Sequence, residues 1–351
     1  MSVNAIDLGS DTVTRPTEKM LEAMRHAELG DDGREGDPTV RRLEALAASL
    51  LGKEAGMFVP SGTMANLVSL LAHTGRGGEV LSDPGTHIYR SEMGGIAGLA
   101  SLFHRTIPSR RGQMDLDALR EAIKPALTPR SLGTALIVME TTHNDAGGAV
   151  LPLSYMAAVH GMAQDTGVPV HIDGARVFNA AVKLGVPASE IAAHGESLGF
   201  CISKGLSAPV GSVLCGSGEF ITRARAFRRM AGGNLRQGGV IAAAGIVALE
   251  EMIDRLAEDH ARAKRLAEGL ASVHPSLVDP AAVETNIVRL DVAKSGRRAD
   301  AWVDALKGKG VLAGVWAPWQ IRMVTHRHIT DADIDRVVAA VKEVWPRLAS
   351  S

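Results

Sequence analysis

Cysteine is scarce in this 351-residue sequence: only Cys201 and Cys215 occur, both inside apolar runs. They read as small buried core residues, and neither a disulfide nor a cysteine-based metal framework is expected. A charge excess of either sign is also missing. The formal net charge is −1, so no nucleic-acid or acidic-membrane partner is implied. The longest apolar stretch, residues 240–249, is far shorter than a bilayer span. Residues 1–7 lack a basic segment followed by an apolar one, so no signal peptide is expected and a soluble, cytoplasmic protein is. Internal repeats and low-complexity segments are absent. What is present is a hydrophobic content of 46% with 38 glycines. That composition suits a compact α/β protein with many tight turns, and the length suffices for one large and one small domain.

Short apolar runs alternate with helical patterns through most of the chain. Strands are read at Met57-Phe-Val, Glu79-Val-Leu-Ser, Ala135-Leu-Ile-Val-Met-Glu140, Pro169-Val-His-Ile172, residues 197–203 and residues 210–215. Helices are read over 17–28, 115–124 and 153–166, and Val40, Leu43, Leu46 and Leu50 recur at helical spacing. Such alternation argues for a mostly parallel sheet with helices on both faces. A basic helix over 220–230 carries Arg223, Arg225, Arg228 and Arg229, for which a solvated face is an adequate account. The glycine-rich loop 232–239, with Arg236, offers an approach to a ligand or a subunit interface. From about residue 275 the pattern changes to strands over 285–291, 310–315 and 320–325 separated by short helices. Thr330 and Asp333 give the last helix a capping-box-like start. The expected division is 1–250, an N-terminal arm and large domain, and 251–351, a small C-terminal α+β domain.

The chemistry gathers at strand ends, beyond which open parallel sheets bind their ligands. Three predicted strand ends are followed by His143, Asp173 and Lys204: a base, a carboxylate and an amine. Burial favours the neutral form of a lysine, which can attack a carbonyl to form a Schiff base. Taken alone, such a lysine better suits an ammonium that reaches the surface at a strand terminus, and the partners elsewhere in the chain reverse that balance. Ser61-Gly62-Thr63 turns an apolar run into a helix. Free N–H groups there, with the Ser61 and Thr63 hydroxyls, make a phosphate seat, the alternative being an ordinary N-cap. The spacing is not that of a Walker loop or a dinucleotide fingerprint, so a nucleotide is not indicated. A Schiff-base lysine, a phosphate seat and a strand-end aspartate together describe pyridoxal 5'-phosphate. Asp173 would pair with the pyridine nitrogen and keep it protonated, which makes the ring an electron sink. His87 is either a lid on the ring face or a structural histidine at a loop start. No ligand cluster calls for a metal.

With these residues in view, the chain resembles the L-threonine aldolase family. The resemblance rests on Asp7-Leu-Gly-Ser-Asp-Thr-Val-Thr, Phe58-Val-Pro-Ser-Gly-Thr-Met-Ala-Asn, Thr142-His-Asn, His171-Ile-Asp-Gly-Ala-Arg-Val-Phe-Asn, Ser203-Lys-Gly-Leu and Arg236-Gln, in order over almost the whole chain. It implies an aspartate-aminotransferase-like enzyme of fold type I, a homodimer or homotetramer with active sites at the subunit interface. It also implies that Lys204 carries the cofactor, Asp173 pairs with its ring nitrogen, Gly62 and Thr63 hold its phosphate, and His87 stacks on the ring. Arg176 and Arg236 belong to the same cofactor set. Ser10, Arg176 and Arg322 would hold the substrate carboxylate, for which paired arginines offer bidentate geometry. The implied reaction takes a β-hydroxy-α-amino acid to glycine and an aldehyde, with His143, directly or through water, as the base on the β-hydroxyl.

One loop departs from the family pattern. The family's Gly-Asp-Asp-x-Tyr-Gly-x-Asp-Pro is here Gly30-Asp-Asp-Gly33-Arg34-Glu35-Gly36-Asp37-Pro38, with Arg34 at the tyrosine's place. A cation there suits either an acidic or polar substrate side chain or a surface position on a loop. Other readings of the whole are β-elimination or dehydration of a hydroxy amino acid on the same cofactor, transamination, and a non-catalytic protein that kept the fold.

Overall fold

The computed structural model describes residues 5–124, 127–128 and 132–349. Residues 1–4, on which the reading of the N-terminus partly rests, lie outside that range. The chain divides into two compact units. One comprises Arg15–Ala146 and Val150–Ile253; the other comprises the residues up to Thr14, Gly147–Ala149 and the residues from Asp254 onward.

The larger unit is built on a seven-stranded sheet. Its strands run in the order Ala55–Val59, Ser212–Gly216, Ser197–Cys201, Val170–Asp173, Thr134–Glu140, Glu79–Ser82, Phe103–Thr106. All neighbours pair in parallel except Ser212–Gly216, which is antiparallel to both of its partners. The central strands are buried throughout, which is why they read as continuous apolar runs rather than alternating ones. The edge strand Phe103–Thr106 has no buried residue. Its sequence, Phe-His-Arg-Thr, carries no apolar run, and it was not predicted.

Helices pack on the sheet by the apolar stripes expected of them. Leu153–Thr166 forms over the predicted span. Pro38–Leu50 buries Val40, Leu43, Ala47 and Ala48, begins with proline in its first turn, and is capped by Asp37. The apolar helix Gly239–Glu251 lies against it, with almost every side chain from Ala242 to Leu249 buried. At Gly245 an added methyl would stand 2.8 Å from Ile202 and 2.9 Å from Leu43. Glycine is what lets this helix reach the segment that leads into Lys204.

The arginine-rich helix departs from its expected role. Gly218–Met230 does not merely solvate its basic residues: Arg228 is 3% exposed. It pairs with Asp32 at 2.7 Å and donates to the Phe58 carbonyl at 2.8 Å and to Asn234 Oδ1 at 2.9 Å. Arg225 pairs with the buried Glu44. These arginines pin the 30–37 loop and the start of the sheet, and periodicity alone could not separate a buried ion pair from a solvated face.

The smaller unit has its own core, with Trp302, Leu266, Leu270, Leu290, Ile321, Met323, Val337 and Val341 at its centre. Its antiparallel sheet runs Ile287–Asp291, Gln320–Val324, Gly314–Ala317. The N-terminal strand Ile6–Asp7 pairs in parallel with Val311–Leu312, so the arm belongs to this unit. The predicted capping box closes the start of Asp331–Ala349: Asp333 N–H donates to Thr330 Oγ1 at 3.2 Å and Thr330 N–H to Asp333 Oδ2 at 3.0 Å. Among the described residues, no helix is long and apolar enough to cross a membrane.

Candidate active site

The carboxyl edge of the parallel strands carries the larger unit's chemistry. Asp173 ends its strand, 4% exposed. Ala175 N–H donates to its Oδ1 at 3.1 Å and Asn66 Nδ2 to its Oδ2 at 2.9 Å. Each carboxylate oxygen thus keeps a lone pair for a further donor. The same Asn66 nitrogen donates to Glu92 Oε1 at 2.8 Å, and Glu92 Oε1 meets His87 Nδ1 at 2.8 Å. His87 Nε2 is left available to a ligand, on a side chain that is 34% exposed. The hydrogen bond to Glu92, reinforced by the charges of Asp173, Glu92 and Glu140, raises the His87 pKa against the opposing effect of burial. Burial raises that of Glu92. His87, Glu92 and Asp173 hold donor atoms within 4.8 Å of one another, a spacing that also suits a cation, but Asn66 already donates to both carboxylates.

The residues read as a phosphate seat lie at a helix start. Gly62–His73 begins directly after Ser61, whose Oγ caps Met64 N–H at 3.2 Å. The N-cap is thus present, and the first-turn N–H groups of Gly62 and Thr63 lie outside the intrahelical ladder. A methyl at Gly62 would stand 2.9 Å from Cys201 Sγ. This contact sets the helix start against the end of the strand that leads to Lys204. Cys201, Lys204 and Arg176 line one small cavity with Ala175 and Gly205. Ser207 N–H donates to the Lys204 carbonyl at 2.9 Å and Ser207 takes a left-handed φ of 67°, so the lysine sits on a closed turn.

His143 is placed differently from what its motif suggested. It is 2% exposed, with Nε2 at 2.9 Å from Asp83 Oδ1 and Nδ1 accepting the Ala146 N–H at 3.1 Å. Burial lowers its pKa, but the Asp83 hydrogen bond and the charges of Glu140, Asp83 and Asp145 outweigh that and raise it. Glu140, buried and with its own pKa raised by burial, accepts His87 N–H at 2.6 Å and Asn144 N–H at 2.8 Å, which joins the two histidine loops. Arg34 has an 80% exposed side chain, 3.8 Å from Asp31; Arg236, 69% exposed, reaches the same Asp31 at 3.5 Å. In the smaller unit Arg322 donates to the Gly9 carbonyl at 3.3 Å, beside Ser10, and lies over the Trp316 ring.

The structure therefore brings Asp173 together with His87, and Lys204 with Arg176, and it adds Asn66, Glu92, Glu140 and Asp83, which sequence reasoning did not single out. Asn66 lies in a quoted motif and Glu92 follows His87 by five positions, but nothing in spacing says that one amide joins them across the sheet.

These features fit pyridoxal 5'-phosphate: a strand-end lysine, a carboxylate with lone pairs to spare, a half-open imidazole, and a helix N-terminus held against the lysine's strand. Fold and site define a pyridoxal phosphate-dependent lyase of fold type I. The family described as beta-eliminating lyase matches residues 7–293. The chain is 43% identical over 348 residues to a probable low-specificity L-threonine aldolase of Arabidopsis thaliana, covering 98% of each. It is 41% identical over 335 residues to the low specificity L-threonine aldolase of Escherichia coli, covering 95% of this chain and 97% of that one. The solved threonine aldolase of Leishmania major superposes with a TM-score of 0.82 at 17% identity, covering 98% and 99% of the two chains. The chain belongs to the low-specificity L-threonine aldolase family.

Proposed function

We propose that this protein cleaves β-hydroxy-α-amino acids of the L-threonine and L-allo-threonine kind to glycine and an aldehyde. The observation that carries the reading is the set Lys204, Asp173 and His87 on one sheet edge, in a chain 41–43% identical to low-specificity L-threonine aldolases over nearly its full length. When bound, pyridoxal phosphate supplies the electron sink that accepts the bonding pair of the broken Cα–Cβ bond.

The chain's own residues do the rest. Lys204 would hold the cofactor through its side-chain amine. Gly62 and Thr63 N–H, with the Ser61 and Thr63 hydroxyls, seat the phosphate, and Arg176 and Arg236 add positive charge to the cofactor set. Arg176 binds the substrate carboxylate, which orients the bond to be cleaved. His87 Nε2, directly or through water, takes the β-hydroxyl proton. His143, whose ring nitrogens are both engaged, serves better as a brace for the loop that carries Asp145 than as that base. Exposure of Arg34 favours threonine-like substrates over a dedicated pocket for an acidic side chain.

The exposed apolar residues beside His87, Tyr89 at 47%, Met93 at 99% and Leu99 at 67%, support a homodimer or homotetramer with the site near the subunit interface. Product analysis tests the reaction. Glycine and acetaldehyde from L-threonine are expected. An oxo acid with ammonia would instead establish β-elimination.

A further inference from the structure

Behind Asp173 a line of buried polar side chains runs away from the site through the sheet. Asn66 Nδ2 faces two carboxylates, Asp173 and Glu92, which fixes that atom as the amide nitrogen and leaves Oδ1 as an acceptor. His171 Nε2 lies 3.1 Å from that Oδ1 and must therefore carry the proton. Burial pushes the His171 pKa down to about 4, so the ring is neutral and its Nδ1 accepts. Ser197 Oγ is 2.8 Å from Nδ1 and donates there. Its one proton is then committed, so His73 Nε2, 2.7 Å from the same oxygen, donates to it. Burial holds His73 neutral as well, with its pKa down to about 3, and its ring stacks on Phe220 at 4.3 Å. Every proton in the line points toward Asp173.

We propose that Asn66 and His171 are positioning residues for the cofactor: the one-way donor line fixes the Asp173 carboxylate, and the single Asn66 amide locks it to the Glu92–His87 pair. The inference rests on the pyridoxal phosphate reading above. It follows that the group opposite the pyridine nitrogen and the group on the ring face are set by one side chain, so a change at Asn66 moves both. The titratable groups facing Asp173 are His87, Glu92, Glu140 and His171, and among them only His171 feeds the line from behind.

The test uses the full chain with the cofactor removed and titrated back. It reads the dissociation constant, the pH dependence of the bound cofactor's visible absorbance, and the melting temperature of the apoprotein. Asn66→Ala removes the hydrogen bonds to Asp173 and Glu92, and His171→Leu removes those to Asn66 and Ser197, so binding is expected to weaken about 10- to 100-fold, with the absorbance profile shifted in pH. His171→Gln, which keeps a neutral donor toward Asn66 Oδ1, should recover most of both. Should His171→Leu fail to fold, Ser197→Ala carries the test: it leaves the ring in place but removes the hydroxyl that fixes its tautomer, and a smaller shift of the same sign is expected. Dissociation constants and absorbance profiles equal to those of the wild type in Asn66→Ala and Ser197→Ala would overturn the proposal. A wild-type protein that takes up no pyridoxal phosphate would overturn the functional reading instead.

Discussion

At the scale of single residues, the two histidines that follow strand ends separate by what occupies their nitrogens. His143 is buried with both in use, whereas His87 keeps one nitrogen on a half-open side chain. A base must be neutral to accept a proton, and the Glu92 hydrogen bond holds the His87 pKa above the ordinary 6.5. The acidic limb of kcat/KM is therefore expected above pH 6.5, and Glu92→Gln should move it to lower pH; an unmoved limb would remove His87 from the base's role. The linked stability has the matching sign. Because the folded-state pKa is raised, stability from the His87–Glu92 pair is present in full below about pH 6.5 and is lost as pH rises through the raised value. An NMR titration of His87 in the wild type and in Glu92→Gln checks both statements.

At the scale of elements, two contacts carry the geometry. Gly62 lets a helix N-terminus close on the strand of Lys204, with Cys201 Sγ 2.9 Å from where a methyl would stand. Gly62→Ala is expected to cost about 1–3 kcal/mol by overpacking and to weaken phosphate affinity. Adding Cys201→Ala should restore much of the stability, and a double mutant no more stable than the single would show that the contact is unimportant. Arg228→Ala leaves Asp32 buried without its partner, and a loss of about 3–5 kcal/mol is expected in chemical denaturation. The sequence made some of this legible. Strands buried on both faces announce themselves as apolar runs, and turn chemistry after them announces Ser61, Asp173 and Lys204. What it hid was polar and long-range. The edge strand Phe103–Thr106 has no apolar run to read. Arg228 looked like any helix-surface cation, and Asn66, Asp83, Glu92 and Glu140 gain their meaning only from partners 26 to 107 positions away or across a loop. Hydrophobic periodicity reports burial of carbon; it says nothing about which buried oxygens and nitrogens find one another.

At the scale of the whole molecule, the chain is a two-unit lyase whose larger unit carries Lys204, Asp173 and His87 and whose smaller unit carries Ser10 and Arg322. The exposed Tyr89, Met93 and Leu99 beside His87 predict self-association, so light scattering should give at least twice the 36.9 kDa chain mass. Met93→Asp with Leu99→Asp should shift the protein toward monomer and reduce activity; a fully active monomer would detach the site from any interface. The central claim is that Lys204 carries a cofactor with which the chain splits β-hydroxy amino acids at Cα–Cβ. Its most direct test is glycine release from L-threonine and L-allo-threonine by the pyridoxal phosphate-loaded wild type and by Lys204→Ala side by side. Stoichiometric glycine and acetaldehyde from the wild type, absent in the variant, is the predicted result. No glycine from a wild type that has bound the cofactor would contradict it.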